Sequence, residues 1–239
     1  MQVPDQADSL SNILAHNKAF EDDKPEKVIE WAIDRFYPKL AIASSFSVED
    51  TVVIDMATKI QPDIKVFYIN TGCEFRETDE TKTIIKNRHH LNLTEYASKL
   101  TVEEQGRAYG EELFRKDPDL CCQLRKIEPI KRALSGLDTW MTGLRREQSP
   151  TRKNLEIIEV DERDGRPLVK INPLASWTRA QVWKYVLERS IPYNPLYDKG
   201  YTSIGCWPCT RPVILAEDER AGRWSGNAKT ECGLHTAAE

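Results

Sequence analysis

Short apolar runs alternate with amphipathic segments along residues 37–145 of the chain. The runs predict buried strands and comprise residues 39–43, 64–69, 91–96 and 138–142. The intervening segments place apolar residues at helical spacing, and Thr101 with Glu104 forms a capping-box pattern at the start of one of them. Strands that alternate with helices in this way predict βαβ units and a parallel sheet with helices on both faces.

The two ends of the chain predict further elements. Residues 8–36 predict one or two helices, with Ser9 capping the first and Pro25 in the first turn of the second. Residues 157–160 and 168–171 predict a hairpin across Asp164-Gly165. A final amphipathic helix is predicted over residues 178–189, with an apolar face of Val182, Trp183, Val186 and Leu187.

No repeat or break in composition divides the chain. We therefore expect a single α/β domain over residues 1–239, with N-terminal helices within about 1–36. Ligands of parallel α/β sheets bind at the carboxyl ends of the strands. Three loops should share that edge: 44–47, 70–72 and 143–146. The first runs from a strand into a helix, where backbone N–H groups and the helix dipole can hold an anion, although it lacks the glycines and lysine of a Walker loop.

The net charge of −4 is informative mainly because it argues against certain binding partners. It offers no general electrostatic reason to bind nucleic acid or an anionic membrane. The N-terminus shows no secretory signal, and no run approaches the roughly 20 apolar residues of a membrane helix. We therefore expect a cytoplasmic protein whose six cysteines serve metal binding or catalysis rather than disulfides.

Four of the cysteines form two pairs. Cys206 and Cys209 have C-x-x-C spacing within GCWPCT, and Cys121 and Cys122 are adjacent within DLCCQLRK. Together they supply four thiolates, enough for a tetrahedral zinc or a four-iron cluster, and the spacing does not choose between the two. We interpret Cys73 as a small buried thiol without a role in the chemistry.

The sixth cysteine, Cys232, stands alone near the C-terminus and is suited to be a mobile nucleophile. His235 follows three residues later and could lower its pKa or touch a ligand, whereas His89 is expected on the surface. Cations cluster near the proposed site loops, which favours a polyanionic small ligand, with ordinary solvated surface charge as the alternative. They are Arg125, Lys126, Arg145, Arg146, Arg152, Arg220 and Arg223.

Taken together, the segments SSFSVED, NTG, CCQLRK, TGLRREQSPTR, GCWPC, EDERAGRW and KTECGLH resemble the assimilatory adenylyl-sulfate (APS) reductases, relatives of the phosphoadenylyl-sulfate (PAPS) reductases. The resemblance runs from about residue 40 to His235. It implies a Rossmann-like, adenine-nucleotide α-hydrolase-type sheet with a C-terminal extension, about residues 205–239, over the active site. In that extension the catalytic tail is expected to be mobile.

The resemblance also implies a reaction and a cofactor. Cys232 matches the nucleophile that attacks the sulfur of APS, forming an S-sulfocysteine that thioredoxin (or glutaredoxin) reduces to release sulfite for cysteine biosynthesis. The four paired cysteines (Cys121, Cys122, Cys206 and Cys209) match the ligands of one [4Fe–4S] cluster per chain. Lys126 matches a residue between cluster and sulfate. The remaining matches are phosphosulfate contacts (Arg152, Arg220 and His235) and nucleotide loops (Ser45, Ser47, Ile69, Thr71 and Gly143), with Arg145 counted among the substrate-binding cations.

Three alternatives stay open at this stage. The chain could be a PAPS reductase or could accept both substrates, since no residue is identified that selects for a 3′-phosphate. An ATP pyrophosphatase is disfavoured because SSFSVED lacks paired glycines. A non-catalytic zinc module would leave Cys232 and the arginines unexplained. The oligomeric state is also open, a homo-oligomer being one alternative.

Overall fold

The structure is a computed structural model and describes residues 10–163, 165–213, 218–224, 229 and 231–233. The helices in this part of the chain are α1 (Leu10–Phe20), α2 (Pro25–Phe36), α3 (Val48–Ile60), α4 (Arg76–His89), α5 (Val102–Tyr109), α6 (Leu113–Lys116), α7 (Pro118–Cys122), α8 (Glu128–Leu134) and α9 (Arg179–Glu188). The strands are β1 (Leu40–Ala43), β2 (Lys65–Asn70), β3 (Asn92–Ala97), β4 (Thr139–Met141), β5 (Ile158–Arg163) and β6 (Arg166–Ile171).

The strands form one sheet in the order β3-β2-β1-β4-β6-β5. Strands β1, β2, β3, β4 and β6 are parallel, and β5 pairs antiparallel with β6 as the predicted hairpin. The chain leaves β1 in one direction towards β2 and β3 and later returns on its other side with β4. A crevice therefore opens at the carboxyl ends of β1 and β4, where such sheets bind ligands.

Helices cover both faces of the sheet. Successive strand residues point to opposite faces, so Ile42 of β1 packs with α2, α3 and α9 while its neighbour Ala41 packs with α8. On the first face the fully buried side chains include Ile29, Val52 and Val182. The predicted parallel sheet with two covered faces is confirmed.

Local sequence signals set several helix ends. Pro25 is at the first turn of α2, where the missing N–H leaves no hydrogen bond unmade. Thr101 and Glu104 form a capping box at α5, and Thr178 and Gln181 form another at α9. The predicted cap of α1, Ser9, lies outside the described residues. No helix in the described ranges is both long and apolar enough to cross a membrane.

Two expectations about burial are wrong. Leu187 is 67% exposed, because Val182 and Val186 set the buried face of α9 and Leu187 is rotated away from it. The side chain of His89, expected on the surface, is only 10% exposed and its Nδ1 lies 3.2 Å from Thr58 Oγ1. Burial lowers the pKa of His89, even though nearby Asp55 acts in the opposite direction.

Candidate active site

A cavity of about 190 Å³ opens at the carboxyl edge of β1, β2 and β4. It brings together nine of the predicted catalytic and substrate-binding residues from distant parts of the sequence: Ser45, Ser47, Ile69, Thr71, Lys126, Gly143, Arg152, Arg220 and Cys232. Its wall combines apolar side chains, such as Ile130 and Trp140, with hydroxyl, cationic, carboxylate and thiol groups. This mixture suits a ligand with an aromatic part and an anionic part.

The loop between β1 and α3 is held by its own side chains. Asp50 Oδ2 accepts hydrogen bonds from Ser45 N at 2.6 Å and from Ser45 Oγ at 2.8 Å. Phe46 adopts a left-handed backbone with φ of 56° and is buried against Tyr68. This anchoring fixes the loop so that Ser45 and Ser47 line the cavity.

Gly143 lets β4 approach the start of α3 closely. A Cβ atom at this position would lie 2.6 Å from Asp50 Oδ1 and 2.9 Å from Asp50 N. Any side chain would therefore push the loop after β4 away from α3. Glycine is therefore needed at position 143, because the backbones of the loop after β4 and of the start of α3 meet at the floor of the site.

The loop after β2 connects the cavity to the cysteines. Thr71 Oγ1 donates to Glu74 Oε1 at 2.7 Å and lies 3.3 Å from Cys206 Sγ. The backbone of this loop also binds the C-x-x-C turn, since Trp207 N donates to Cys73 O at 2.8 Å. The two loops are thus one unit, although 135 residues separate Thr71 from Cys206.

A π-helical turn, Gln123–Ile127, joins α7 to α8 and carries two buried cations. Arg125 is 3% exposed and Lys126 is 9% exposed. Neighbours in an α-helix point about 100° apart, and the wider π turn places both side chains inward. Burial acts to lower the pKa of Lys126, but the electrostatic interactions with Cys206 and Cys232 oppose it and the net shift is upward, so the ammonium stays charged.

A second, smaller cavity adjoins the first and is lined by five of the six cysteines: Cys73, Cys121, Cys122, Cys206 and Cys209. None of the six, all in the described part of the chain, forms a disulfide. Burial raises the pKa of Cys122 and of Cys209 to about 11 each. Lys126 and Cys206 line both cavities, so the cysteine cavity and the larger cavity share a wall.

The donor set of the cysteine cavity fits a thiolate-ligated group. Among the described residues it holds four paired thiols and no carboxylate, and Gln105 Nε2 points at Cys121 Sγ from 3.9 Å. Arg125 Nε and Nη2 are buried in the same place without a hydrogen-bond partner among the described residues. Buried unpaired donors of a cation are costly and suit an anionic occupant. In this geometry, no three metal-binding side chains of the described residues converge closely enough to hold a single ion.

The C-terminal extension covers both cavities. Residues 218–224 pair with the C-x-x-C loop, since Trp224 N donates to Cys209 O at 2.9 Å and Arg211 N donates to Gly222 O at 2.9 Å. The Trp224 ring packs with Cys122 and Cys232. Cys232 is 9% exposed, so in this conformation the predicted nucleophile is enclosed beside the cysteine cavity.

The cations of the larger cavity are arranged around this tail. Arg152 and Arg220 both line the cavity and both bond Glu231. Burial and the charges of Arg152 and Arg223 lower the pKa of Arg220 to about 10, which still leaves it charged at neutral pH. The arrangement concentrates positive charge next to Cys232, as attack on an anionic group requires.

Arg145 is placed differently from the expectation that it contacts the substrate. Its side chain is completely buried, does not line the cavity, and donates to the carboxylates of Glu49, Glu147 and Glu219. In this conformation the guanidinium therefore organises carboxylates beneath the cavity wall. His235 lies outside the described residues.

Sequence reasoning missed two glutamates of the extension. Glu219 lines the cavity, and burial together with the charge of Glu49 raises its pKa to about 7 despite the opposing Arg145. Glu231 precedes Cys232 and binds the arginine pair. A signal for Glu231 was available, since it is the one acidic residue adjacent to the tail thiol.

Residues 39–212 match the family described as the phosphoadenosine phosphosulfate reductase domain. An adenosine 5'-phosphosulfate reductase of Halalkalibacterium halodurans is 46% identical over 225 residues, covering 94% of this chain and 96% of that protein. A phosphoadenosine 5'-phosphosulfate reductase of Gloeobacter violaceus is 45% identical and covers 91% of each. Relatives of nearly equal similarity thus carry names for both substrates.

Solved structures agree with the fold. A phosphoadenylyl-sulfate reductase of Candida auris, crystallised as a phosphate complex, has a TM-score of 0.76 at 33% identity and covers 86% of this chain and 99% of that one. An FMN adenylyltransferase of Candida glabrata has a TM-score of 0.59 at 16% identity, covers 96% of this chain and 81% of that one, and shows similarity of fold alone. The expected adenine-nucleotide α-hydrolase-type fold is confirmed.

Proposed function

The chain belongs to the phosphoadenosine phosphosulfate reductase family, and on that premise we propose that it reduces adenylyl sulfate (APS) to sulfite and AMP. The observation that carries the proposal is the position of Cys232. It lines the larger cavity, whose other wall residues include Lys126, Arg152 and Arg220. A thiol enclosed among cations is suited to attack an anionic sulfur group, since thiolate and ligand would both be stabilised there.

In this proposal the ligand lies along the carboxyl edge of the sheet. The adenosine end packs against the apolar wall near Ile69 and Trp140, with the loops of Ser45, Ser47, Thr71 and Gly143 around it. The phosphosulfate end points towards Lys126, Arg152 and Arg220. Bidentate and charge-assisted contacts of arginine favour that end of the ligand. On the basis of the family resemblance, the proposal also includes His235 among the phosphosulfate contacts.

The first chemical step is a thiol substitution at sulfur. The thiolate of Cys232 forms a bond to the sulfuryl sulfur while the bond from that sulfur to the bridging phosphate oxygen breaks. AMP leaves with the electron pair, and Cys232 becomes an S-sulfocysteine. Lys126 and the two arginines neutralise the charge that develops on the sulfuryl group and on the leaving phosphate.

The second step releases sulfite by thiol exchange with thioredoxin or glutaredoxin. A thiolate of that protein attacks Cys232 Sγ, sulfite leaves with the electron pair, and the second thiol of the reductant resolves the mixed disulfide. Cys232 returns to its thiol and the reductant becomes oxidised. Because Cys232 is 9% exposed, the tail has to leave the cavity before a protein thiol can reach it. This need is the physical argument for a mobile tail within the single proposed domain.

The four paired cysteines are proposed to hold a [4Fe–4S] cluster. Cys121, Cys122, Cys206 and Cys209 line one cavity with the unpartnered donors of Arg125, which fits an anionic, thiolate-ligated group. Once bound, such a cluster would supply a negative charge beside the sulfate position without changing its oxidation state. Lys126, on the wall shared by both cavities, lies between the two.

PAPS, or both nucleotides, is the second candidate substrate. The relative of Gloeobacter violaceus is named for PAPS at 45% identity, almost the same as the relatives named for APS. A non-catalytic zinc module is disfavoured because it gives no role to the cationic cavity around Cys232. We also propose a cytoplasmic location, in which reductant and thiols stay reduced.

The decisive experiment compares the two substrates directly. Anaerobically purified protein is given reduced thioredoxin and either APS or PAPS, and sulfite release is measured. We expect sulfite from APS at a rate well above that from PAPS. Equal rates would establish a dual-substrate enzyme, and sulfite from neither nucleotide would overturn the proposal. An iron assay and a visible spectrum of the same preparation distinguish an iron–sulfur cluster from zinc.

A further inference from the structure

The residue before the tail thiol occupies the arginine pair of the cavity. Glu231 Oε1 accepts from Arg152 Nε at 3.0 Å, and Glu231 Oε2 accepts from Arg152 Nη2 at 2.9 Å. Arg220 Nη2 donates to the same Oε2 at 3.0 Å, and Thr151 Oγ1 donates to Oε1 at 3.1 Å. One carboxylate therefore joins two cavity arginines in a bidentate, charge-assisted arrangement.

These contacts are protected from solvent. The Glu231 side chain is 17% exposed, and those of Arg152 and Arg220 are similarly enclosed. Although burial acts to raise the pKa of Glu231, the hydrogen bond and charge of Arg152 and the charge of Arg220 leave it below its usual value. The carboxylate is therefore ionised at neutral pH and compensates two cations that would otherwise repel each other.

The position of this carboxylate is that of a ligand group. Arg152 and Arg220 line the larger cavity, where the proposed function places the phosphosulfate of the substrate. The adjacent residue, Cys232, is held at the same cavity wall. In the free protein, the Glu231 carboxylate therefore occupies the arginine pair whenever the tail is in its closed position.

We propose that Glu231 is a positioning residue that holds Cys232 over the cavity by occupying the arginine pair which the anionic group of the substrate takes during turnover. The inference rests on the proposed function for the identity of that group. The phosphosulfate of an entering nucleotide competes with Glu231 for Arg152 and Arg220, and this competition loosens the tail so that Cys232 can move onto the sulfur in the first chemical step. In the empty enzyme the carboxylate keeps the nucleophile shielded and the arginines compensated.

The test measures how fast Cys232 reacts with iodoacetamide in the anaerobic holoprotein. Cleavage by trypsin after Lys229 yields the peptide 230–239, in which Cys232 is the only cysteine, so its alkylation is resolved by mass spectrometry. We expect Glu231→Gln to be alkylated about tenfold faster than the unmodified chain, because a charge-assisted pair is lost. The matched control is Glu188→Gln on α9, an exposed glutamate paired only with Lys184 in the described structure, which should leave the rate unchanged.

A titration with inorganic sulfate tests the competition without any substitution. Sulfate should accelerate alkylation of Cys232 in the unmodified chain and have no further effect in Glu231→Gln, while sodium chloride at equal ionic strength controls for screening. A purely structural glutamate would not produce this sulfate dependence. Alkylation of Glu231→Gln at the unmodified rate, or alkylation of the unmodified chain that sulfate leaves unchanged or slows, would overturn the inference.

Failure here is distinguishable from failure of the proposed function. Alkylation needs no turnover, so a chain that forms no sulfite can still show the sulfate-dependent release of its tail. A chain that forms sulfite but shows no difference between Glu231→Gln and Glu188→Gln loses only the role given to Glu231. Thermal unfolding of both variants checks that the comparison is made between folded proteins.

Discussion

Arg145 Nη2 donates to Glu219 Oε1 at 2.9 Å and so ties the loop after β4 to the C-terminal extension. The same nitrogen lies 2.8 Å from Glu49 Oε1 at the start of α3. Arg145 is completely buried, and the two glutamates are almost so. A single guanidinium therefore positions two cavity carboxylates and holds the extension over the sheet.

Replacing Arg145 should destabilise the protein strongly. Arg145→Ala leaves Glu49 and Glu219 buried without their shared cation, and we expect a loss of about 3–5 kcal/mol in the free energy of unfolding. Denaturant titration measures this loss. Arg107→Ala is the matched control, because Arg107 is an exposed partner of Glu103 on α5 and should change stability by no more than about 0.5 kcal/mol. Similar losses in both variants would contradict the anchoring role.

The raised pKa of Glu219 predicts that the stability of the protein depends on pH. Its pKa is about 7 in the folded protein, owing to burial and to Glu49, against roughly 4.3 for an ordinary glutamate. Between these values the folded state binds more protons than the unfolded state. Stability should therefore fall as the pH rises from about 4.3 to 7, by up to about 4 kcal/mol, and level off above.

The comparison of the unmodified chain with Glu219→Gln isolates this effect. The variant cannot ionise at this position, so the difference between the two unfolding free energies should change across that pH range. Asp50, whose pKa burial also raises, is present in both proteins and cancels in the difference. Parallel pH profiles of the two proteins would show that Glu219 does not titrate as expected.

Cys232 is expected to be indispensable for turnover but not for the metal centre. Cys232→Ser should abolish sulfite formation, because a hydroxyl cannot form the S-sulfonate, while the iron content and visible absorbance of the purified protein remain. Retained sulfite formation would remove Cys232 from the reaction. Loss of iron in this variant would instead indicate a structural role at the adjoining cysteine cavity.

The cysteine cavity offers a matched pair of substitutions. Cys122→Ser should lower the iron content and bleach the protein, since Cys122 is a proposed ligand. Cys73→Ser is the control, because Cys73 lines the same cavity and is similarly buried but is not a proposed ligand. Iron quantification and visible absorbance distinguish the two. Equal retention of iron would refute the ligand role of Cys122, and equal loss would give Cys73 a part in the centre.

Lys126 should affect the rate of sulfite release more than the assembly of the metal centre. Lys126→Ala removes the buried cation between the two cavities, and we expect about a 100-fold or greater fall in sulfite release, comparable to loss of an oxyanion donor, with iron retained. Lys131→Ala is the control, since Lys131 is an exposed residue of α8 only five positions further along the chain. Unchanged kinetics of Lys126→Ala would take this residue out of the site.

Much of the fold was predictable because its signals are local. The apolar runs around Ile42, Val66 and Trp140 specify buried strands, and Pro25 and Thr178 mark helix starts. The loops after these strands carry Ser45, Thr71 and Gly143, and parallel strands bring their carboxyl ends to one edge. The grouping of these residues could therefore be expected from the chain alone.

Burial at the margins of elements was less predictable. Leu187 lies on the exposed side of α9 because the helix docks through Val182 and Val186, and His89 is covered because α4 packs beside Asp55 of α3. The hydrophobicity of a residue does not indicate whether a neighbouring element covers it. Only the packing of whole helices decides that.

The sequence by itself determined the strand–helix alternation, the edge that carries the site and the residue types suited to the chemistry, because these depend on short-range periodicity and on spacing within motifs. The tertiary structure alone decided which charges meet. The π turn brings Arg125 and Lys126 inward together, Arg145 serves Glu49 and Glu219 below the cavity wall, and Glu231 takes the arginine pair. Such pairings join residues up to 96 positions apart, and they depend on three-dimensional distance, which no local pattern encodes.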